Sequence, residues 1–223
     1  MKAYKSFSCL LAALALGFSA GANAASFHIG DLVASPTRVN GFEGVGAEVL
    51  PVNASYTEAG IRVEQVNGDV WTGYGQTLGF PGTYSWYASN GDTGYTKITN
   101  TNGQDFSDVS IITGNGFSGD TTYTYLNYSL WDNGSEVLAG STLQYLQFFP
   151  VSFTGGGFDT ILLSATFGGA AGPLSGAFQA LAIDQIKVGD ALNPSPVPLP
   201  AAAPLMLSAL GLLGFLTRKK AAV

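Results

Sequence analysis

The chain has 223 residues, 46% of them hydrophobic and only 11% charged: nine Lys and Arg, fifteen Asp and Glu, one His and one Cys. All fifteen acids but only four bases (Arg38, Arg62, Lys97 and Lys187) lie within residues 25–190, an excess of eleven negative charges. Such a surface repels a phosphate backbone, which excludes nucleic acid as a partner. Cys9 alone supports neither a disulfide framework nor a thiolate metal site.

The first residues, Met1-Lys2-Ala3-Tyr4-Lys5, are basic, residues 7–21 are apolar or small without charge, and Ala22-Asn23-Ala24 follows. This predicts a signal peptide over residues 1–24 with cleavage after Ala24, the apolar run being too short for a first membrane span. Cys9 leaves with it. The exported domain then has no thiol and must be held by burial, helped at most by a bound ion. Residues 25–190 suffice for one domain with a sizeable core.

That middle reads as all-β. Asn-Gly occurs six times, at Asn40, Asn67, Asn90, Asn102, Asn115 and Asn133. The pair suits the two positive-φ positions of a type I′ hairpin turn. The clearest instance is "GIRVEQVNGDVWTGY", where alternating Ile61, Val63 and Gln65 precede Asn67-Gly68, and Val70 and Trp71 follow. Strand-like runs recur at 83–89, 106–113, 122–131, 145–153, 158–167 and 177–189, rich in β-branched and aromatic residues and parted by Gly, Asn, Asp and Ser. No apolar period of 3.6 persists over three turns, and no fixed repeat is visible. The fold expected is an antiparallel β-sandwich, jelly-roll-like, followed by a C-terminal hydrophobic helix.

The character changes after Asp190. Residues 191–196 open a Pro-rich tether that holds four prolines by residue 200. Residues 201–217 carry no charge; as a helix they would span about 25 Å, the short end of a transmembrane segment. Arg218, Lys219 and Lys220 then form a stop. Val197-Pro198-Leu199-Pro200-Ala201, one hydrophobic helix and a terminal basic cluster resemble the VPLPA type of PEP-CTERM sorting signal. The resemblance covers residues 197–223 and implies a Gram-negative, exopolysaccharide-producing source. It also implies processing by an exosortase, a membrane cysteine transpeptidase, after transient anchoring in the inner membrane. A permanent single-pass anchor is the alternative.

Chemistry in the middle is sparse. His28 is the only histidine, within "SFHIGDLV", and neither G-x-S-x-G nor H-E-x-x-H accompanies it. It reads as a surface or edge-strand residue, and no catalytic residue is assigned. In "FQALAIDQIKVG" the apolar phase flips at Asp184-Gln185, as a bulge would make it. This closing strand and the early "GFEG" (41–44) resemble jelly-roll carbohydrate-binding modules. The resemblance implies a structural Ca2+ shared by Glu43 and Asp184 with backbone carbonyls, hard oxygen donors that suit the ion. Two acids that merely end strands are the alternative. In "NTNGQDFSD", Asn100, Asn102, Asp105 and Asp108 surround a Gly turn but depart from an EF-hand loop, and a plain turn explains them better.

Trp71, Tyr74, Tyr84, Trp86 and Tyr87 cluster in a Gly-rich region. Aromatic planes stack on the C–H faces of sugars, so Trp71 and Trp86 are the candidate glycan-binding residues. Filling the core is the other use of such side chains. The expectation is an exported, exosortase-sorted, non-catalytic module of the cell surface or exopolysaccharide matrix that contacts polysaccharide. A structural or adhesive protein with a protein partner comes next, and a two-carboxylate glycosidase is a distant third.

Overall fold

The computed structural model describes residues 24–46, 49–73, 80–89, 94–116, 124–144, 149–167 and 181–189. The expected signal peptide, Pro-rich linker, VPLPA motif (Val197 to Ala201), hydrophobic helix and basic stop (Arg218, Lys219, Lys220) lie outside these residues. Among the described residues no helix is long and apolar enough to cross a membrane.

The described chain runs through β1 (Ser26–Ile29), β2 (Arg38–Asn40), β3 (Val49–Leu50), β4 (Ser55–Glu58), β5 (Ile61–Val66), β6 (Asp69–Trp71) and β7 (Trp86–Ser89). It continues with β8 (Tyr95–Asn100), β9 (Asp108–Asn115), β10 (Thr124–Asp132), β11 (Ser135–Gln144), β12 (Phe149–Thr154), β13 (Thr160–Phe167) and β14 (Leu181–Gly189). Eight strands form the larger sheet in the order β1-β12-β9-β14-β7-β6-β3, with β2 also paired to β14. Six form the smaller sheet, β11-β10-β13-β8-β5-β4. Every pairing is antiparallel.

Period-two patterning packs the sheets together. On β5, Ile61, Val63 and Gln65 are buried while Arg62 and Glu64 point away; on β8, Thr96, Ile98 and Asn100 are buried and Tyr95, Lys97 and Thr99 are not. One apolar cluster joins Trp86, Ile111, Phe153 and Ile183 of the larger sheet to Ile61, Leu126, Leu130 and Leu163 of the smaller. Phe27 of β1 stacks on Tyr128 of β10 at 4.3 Å between ring centroids, bridging the layers. Near the β8–β9 and β12–β13 connections, Phe106 and Phe158 pair by a backbone bridge and by their rings. The all-β sandwich is as expected.

The turns are a different matter. Asn133-Gly134, with both residues at positive φ, joins β10 to β11 as a two-residue hairpin, as the dipeptide predicts. Asn67-Gly68 does not. β5 pairs with β8 in the smaller sheet and β6 pairs with β7 in the larger, so this turn carries the chain between layers. Asn67 takes a positive φ, but its N–H is held by the Asn53 side chain at 2.8 Å rather than by a facing strand. Asn102-Gly103 likewise connects the smaller sheet to the larger, and Asn40-Gly41 opens a loop. The second two-residue hairpin, β4 to β5, uses Ala59-Gly60, both at positive φ.

Candidate functional site

Two places in the larger sheet collect the side chains singled out above. The first is the middle of β14. Asp184 faces Ile112 of β9 and Lys187 faces Ser110, so Gln185 and Ile186 together oppose Ile111. This is a β-bulge, with Gln185 at φ 43°. It lets Leu181 and Ile183 before it, and Ile186 and Val188 after it, all enter the core. The phase flip in the sequence is explained.

On its other side β14 pairs first with β7, through Ala182 and Ile183, and then with β2, through Ile186 to Val188. Asp184 and Gln185 thus lie at the gap where β7 begins and β2 ends. The chain leaving β2 is pinned there. Asn40 accepts the Phe42 N–H, Glu58 accepts those of Gly41 and Phe42, and Phe42, at φ 62°, drives its ring into the core beside Trp86. Glu43, the next residue, reaches the segment before β7, where Oε1 accepts the N–H groups of Thr83 (2.8 Å) and Tyr84 (3.3 Å). Gly82 takes φ 82°, a conformation that favours glycine, and a Cβ there would lie 1.9 Å from that oxygen and push the Glu43 carboxylate aside.

Asp184 is wholly buried. Its Oδ1 accepts the Gln185 N–H at 2.7 Å, and Oδ2 has no hydrogen-bond partner among the described residues. Burial, which outweighs that stabilising hydrogen bond, pushes its carboxyl up to about 7, with the negative charges of Glu43 and Glu58 adding to the rise. Glu43 thus lies within electrostatic range of Asp184, and with it Glu58, which the sequence reading missed because nothing in "SYTEAG" marks it. Among the described residues no three acidic, His or Cys side chains converge closely enough to hold one metal ion. An ion here would have two carboxylates at most, completed by carbonyl oxygens.

The second place is the face of the larger sheet turned away from the core. Val70, Ala88 and Trp86 are buried, and alternation puts Trp71 and Tyr87 on the opposite side. These two are cross-strand partners, each half-buried. The row continues with Val49, which is 53% exposed, on one flank and with Ala182 and Gly114, both buried, on the other. Glycines make room for rings here. A Cβ on Gly116 would lie 2.2 Å from the Tyr87 ring, and one on Gly114 would lie 3.1 Å from Phe80.

Trp86 must be reassigned. It is 0% exposed, packed against Phe42 within the core cluster, and presents no surface to a glycan. Pleating decides this: Trp86 and Tyr87 are consecutive in one strand, so they face opposite ways, and the larger ring took the inside. Tyr84 packs against the core edge, and Tyr74 lies outside the described residues. His28 is exposed on the edge strand β1, its Nε2 3.1 Å from Thr154 Oγ1. The "NTNGQDFSD" segment is a turn: Asn102 accepts the Gln104 N–H, Asn100 donates to the Gln104 carbonyl, and Asp108 accepts the Gly155 N–H.

No family model matches the chain, and no curated protein matches it. Among solved structures it is similar to a family 29 carbohydrate-binding module, CBM29_1, from Piromyces equi, at 12% identity and a TM-score of 0.33, over 74% of this chain and 88% of that one. A point mutant of a second family 29 module, CBM29-2, is similar at 9% identity and a TM-score of 0.24, over 72% and 85% of the two chains. Superpositions this loose carry no functional inference.

Proposed function

We propose that this chain is an exported, non-catalytic module of the cell surface or exopolysaccharide matrix that contacts polysaccharide. The observation that carries the reading is the row on the outer face of the larger sheet, where Trp71 and Tyr87 lie side by side in one register position. Adjacent aromatic side chains offer a sugar chain successive C–H stacking partners. The excess of acids over bases between residues 25 and 190 favours a neutral polymer over an anionic one.

In the same reading the sandwich is jelly-roll-like, and the tail (Val197 to Lys220) directs the protein to an exosortase, which delivers it outside the inner membrane. Glu43 and Asp184 hold a structural Ca2+. The orphaned Oδ2 of Asp184 and the mutual repulsion of the carboxylates fit a hard cation that would satisfy one and relieve the other. Such an ion would tie β14 to the segments after β2 and before β7, and would take no part in chemistry. Asp184, closed from solvent, is not placed to protonate a glycosidic oxygen.

The test is co-sedimentation of the full chain, in mild detergent, with insoluble neutral glycans. Trp71→Ala should weaken binding about three- to tenfold, the loss of one stacking contact. Binding equal to the parent in a folded Trp71→Ala protein would remove Trp71 from the site.

A further inference from the structure

A second aromatic site lies on the other sheet. Inward-facing Ile98, Leu130, Ile161 and Leu163 alternate along β8, β10 and β13 with side chains that face away from the core. Among the latter, Tyr95, Lys97, Trp131, Thr160 and Leu162, with Asp159 and Gly134, line an open groove of about 280 Å3. That is the small end of ligand clefts.

The groove is built rather than incidental. The β10–β11 register slips because Val137 is an extra residue of β11, while β10 keeps an unbroken register with β13 through Trp131 and Thr160, so regular pleating sets Trp131 on the outer face beside inward Leu130. Trp131 is half-buried with its Nε1 inaccessible and unpartnered among the described residues, so the indole surface left open is ring carbon. Asp159 is fixed beside it: its N–H donates to the Trp131 carbonyl (2.9 Å), and its Oδ2 accepts the Asn133 N–H (2.9 Å). Lys97 sits opposite Leu162 in register.

We infer that this groove binds a neutral saccharide unit. An aromatic carbon surface, one carboxylate to accept from hydroxyls and one ammonium to donate to them are what a polyol ring with apolar C–H faces requires. Charge argues against an acidic sugar. Asp105 lies within electrostatic range of both Asp132 and Asp159 at that end, against the single Lys97 of the groove lining. The inference rests on the polysaccharide-binding reading and adds a subsite on the face opposite Trp71.

Native electrophoresis of the full chain in mild detergent, through gels containing dextran, hydroxyethylcellulose, galactomannan or, as the anionic probe, alginate, tests it. At least one neutral polymer should retard the parent. Trp131→Phe and Tyr95→Ala, each with an unchanged melting temperature, should lose about three- to tenfold in apparent affinity, additively with Trp71→Ala. Retardation by alginate alone would overturn the assignment. If both groove variants match the parent while Trp71→Ala does not, the groove falls and the larger-sheet reading stands; if no neutral polymer retards the parent, both fall. Should Trp131→Phe misfold, Tyr95→Ala and Lys97→Met decide on their own.

Discussion

Between Ile183 and Ile186 the chain holds an extra residue, and the carboxyl of Asp184 is left buried with only one of its oxygens bonded among the described residues. Its pKa stands at about 7 in the fold against 3.8 ordinarily. The folded protein therefore keeps a proton that the unfolded chain has already released, and stability from this group is full below about pH 4 and drains away as pH rises through about 7. In EDTA the melting temperature should fall between about pH 4 and pH 7 and level off above that. Asp184→Asn should flatten that slope and stabilise the protein at the upper end by a few kcal/mol at most. Ca2+ should raise the melting temperature of the parent at about pH 8 and leave Asp184→Asn unmoved. A parent indifferent to Ca2+ would end the calcium reading while leaving the pH slope in place. The two tryptophans of the 71–86 region part in the same experiment. Trp86→Ala should cost about 3–5 kcal/mol as a cavity in the core, and Trp71→Ala less than half of that.

At the level of elements, strands were more legible than their connections. Runs such as 106–113 and 158–167 fall on β9 and β13 because both are internal strands, and their β-branched and apolar side chains, bounded by Gly, Asn and Asp, mark a strand buried along nearly its whole length. β11 is not marked in the sequence: "SEVLAGSTLQ" has few large apolar side chains, since as an edge strand of the smaller sheet it is exposed at half of its positions and buried only at Gln144. Asn-Gly misled for a different reason. The dipeptide reports that a residue can take positive φ, which Asn67 and Asn133 both do, and says nothing about whether the next strand returns beside the last or crosses to the other layer. Ala59-Gly60 makes the complementary point, a tight hairpin with an unfavoured residue in the left-handed region. Ala59→Gly should therefore stabilise the protein by about 1 kcal/mol, read by urea unfolding. Gly116→Ala should destabilise by about 1–3 kcal/mol, because the Tyr87 ring occupies the space its methyl would need.

For the whole molecule, composition spoke to surroundings and the fold to surfaces. The expectation of a membrane segment over 201–217 with a basic end rests on the length and charge rules a membrane imposes, and these residues lie outside the described ones. Which aromatic side chains face outward was not readable, because Trp86 and Tyr87 are equally apolar neighbours and only the pairing of β7 with β14 and β6 settles the phase. Trp131 drew no attention in the sequence at all, standing alone before Asp132-Asn133-Gly134; its site is assembled from strands distant along the chain. Aromatic rings on both outer faces, in a domain with a strong excess of acids, describe a module that a neutral polymer could engage on either side. The measurement that bears on this most directly is the retention of the full chain, in mild detergent, by the exopolysaccharide of the organism that produces it, cast into a native gel. The account requires retention that weakens when Trp71 is replaced by alanine in a folded protein. Free migration of the parent through that gel would contradict it.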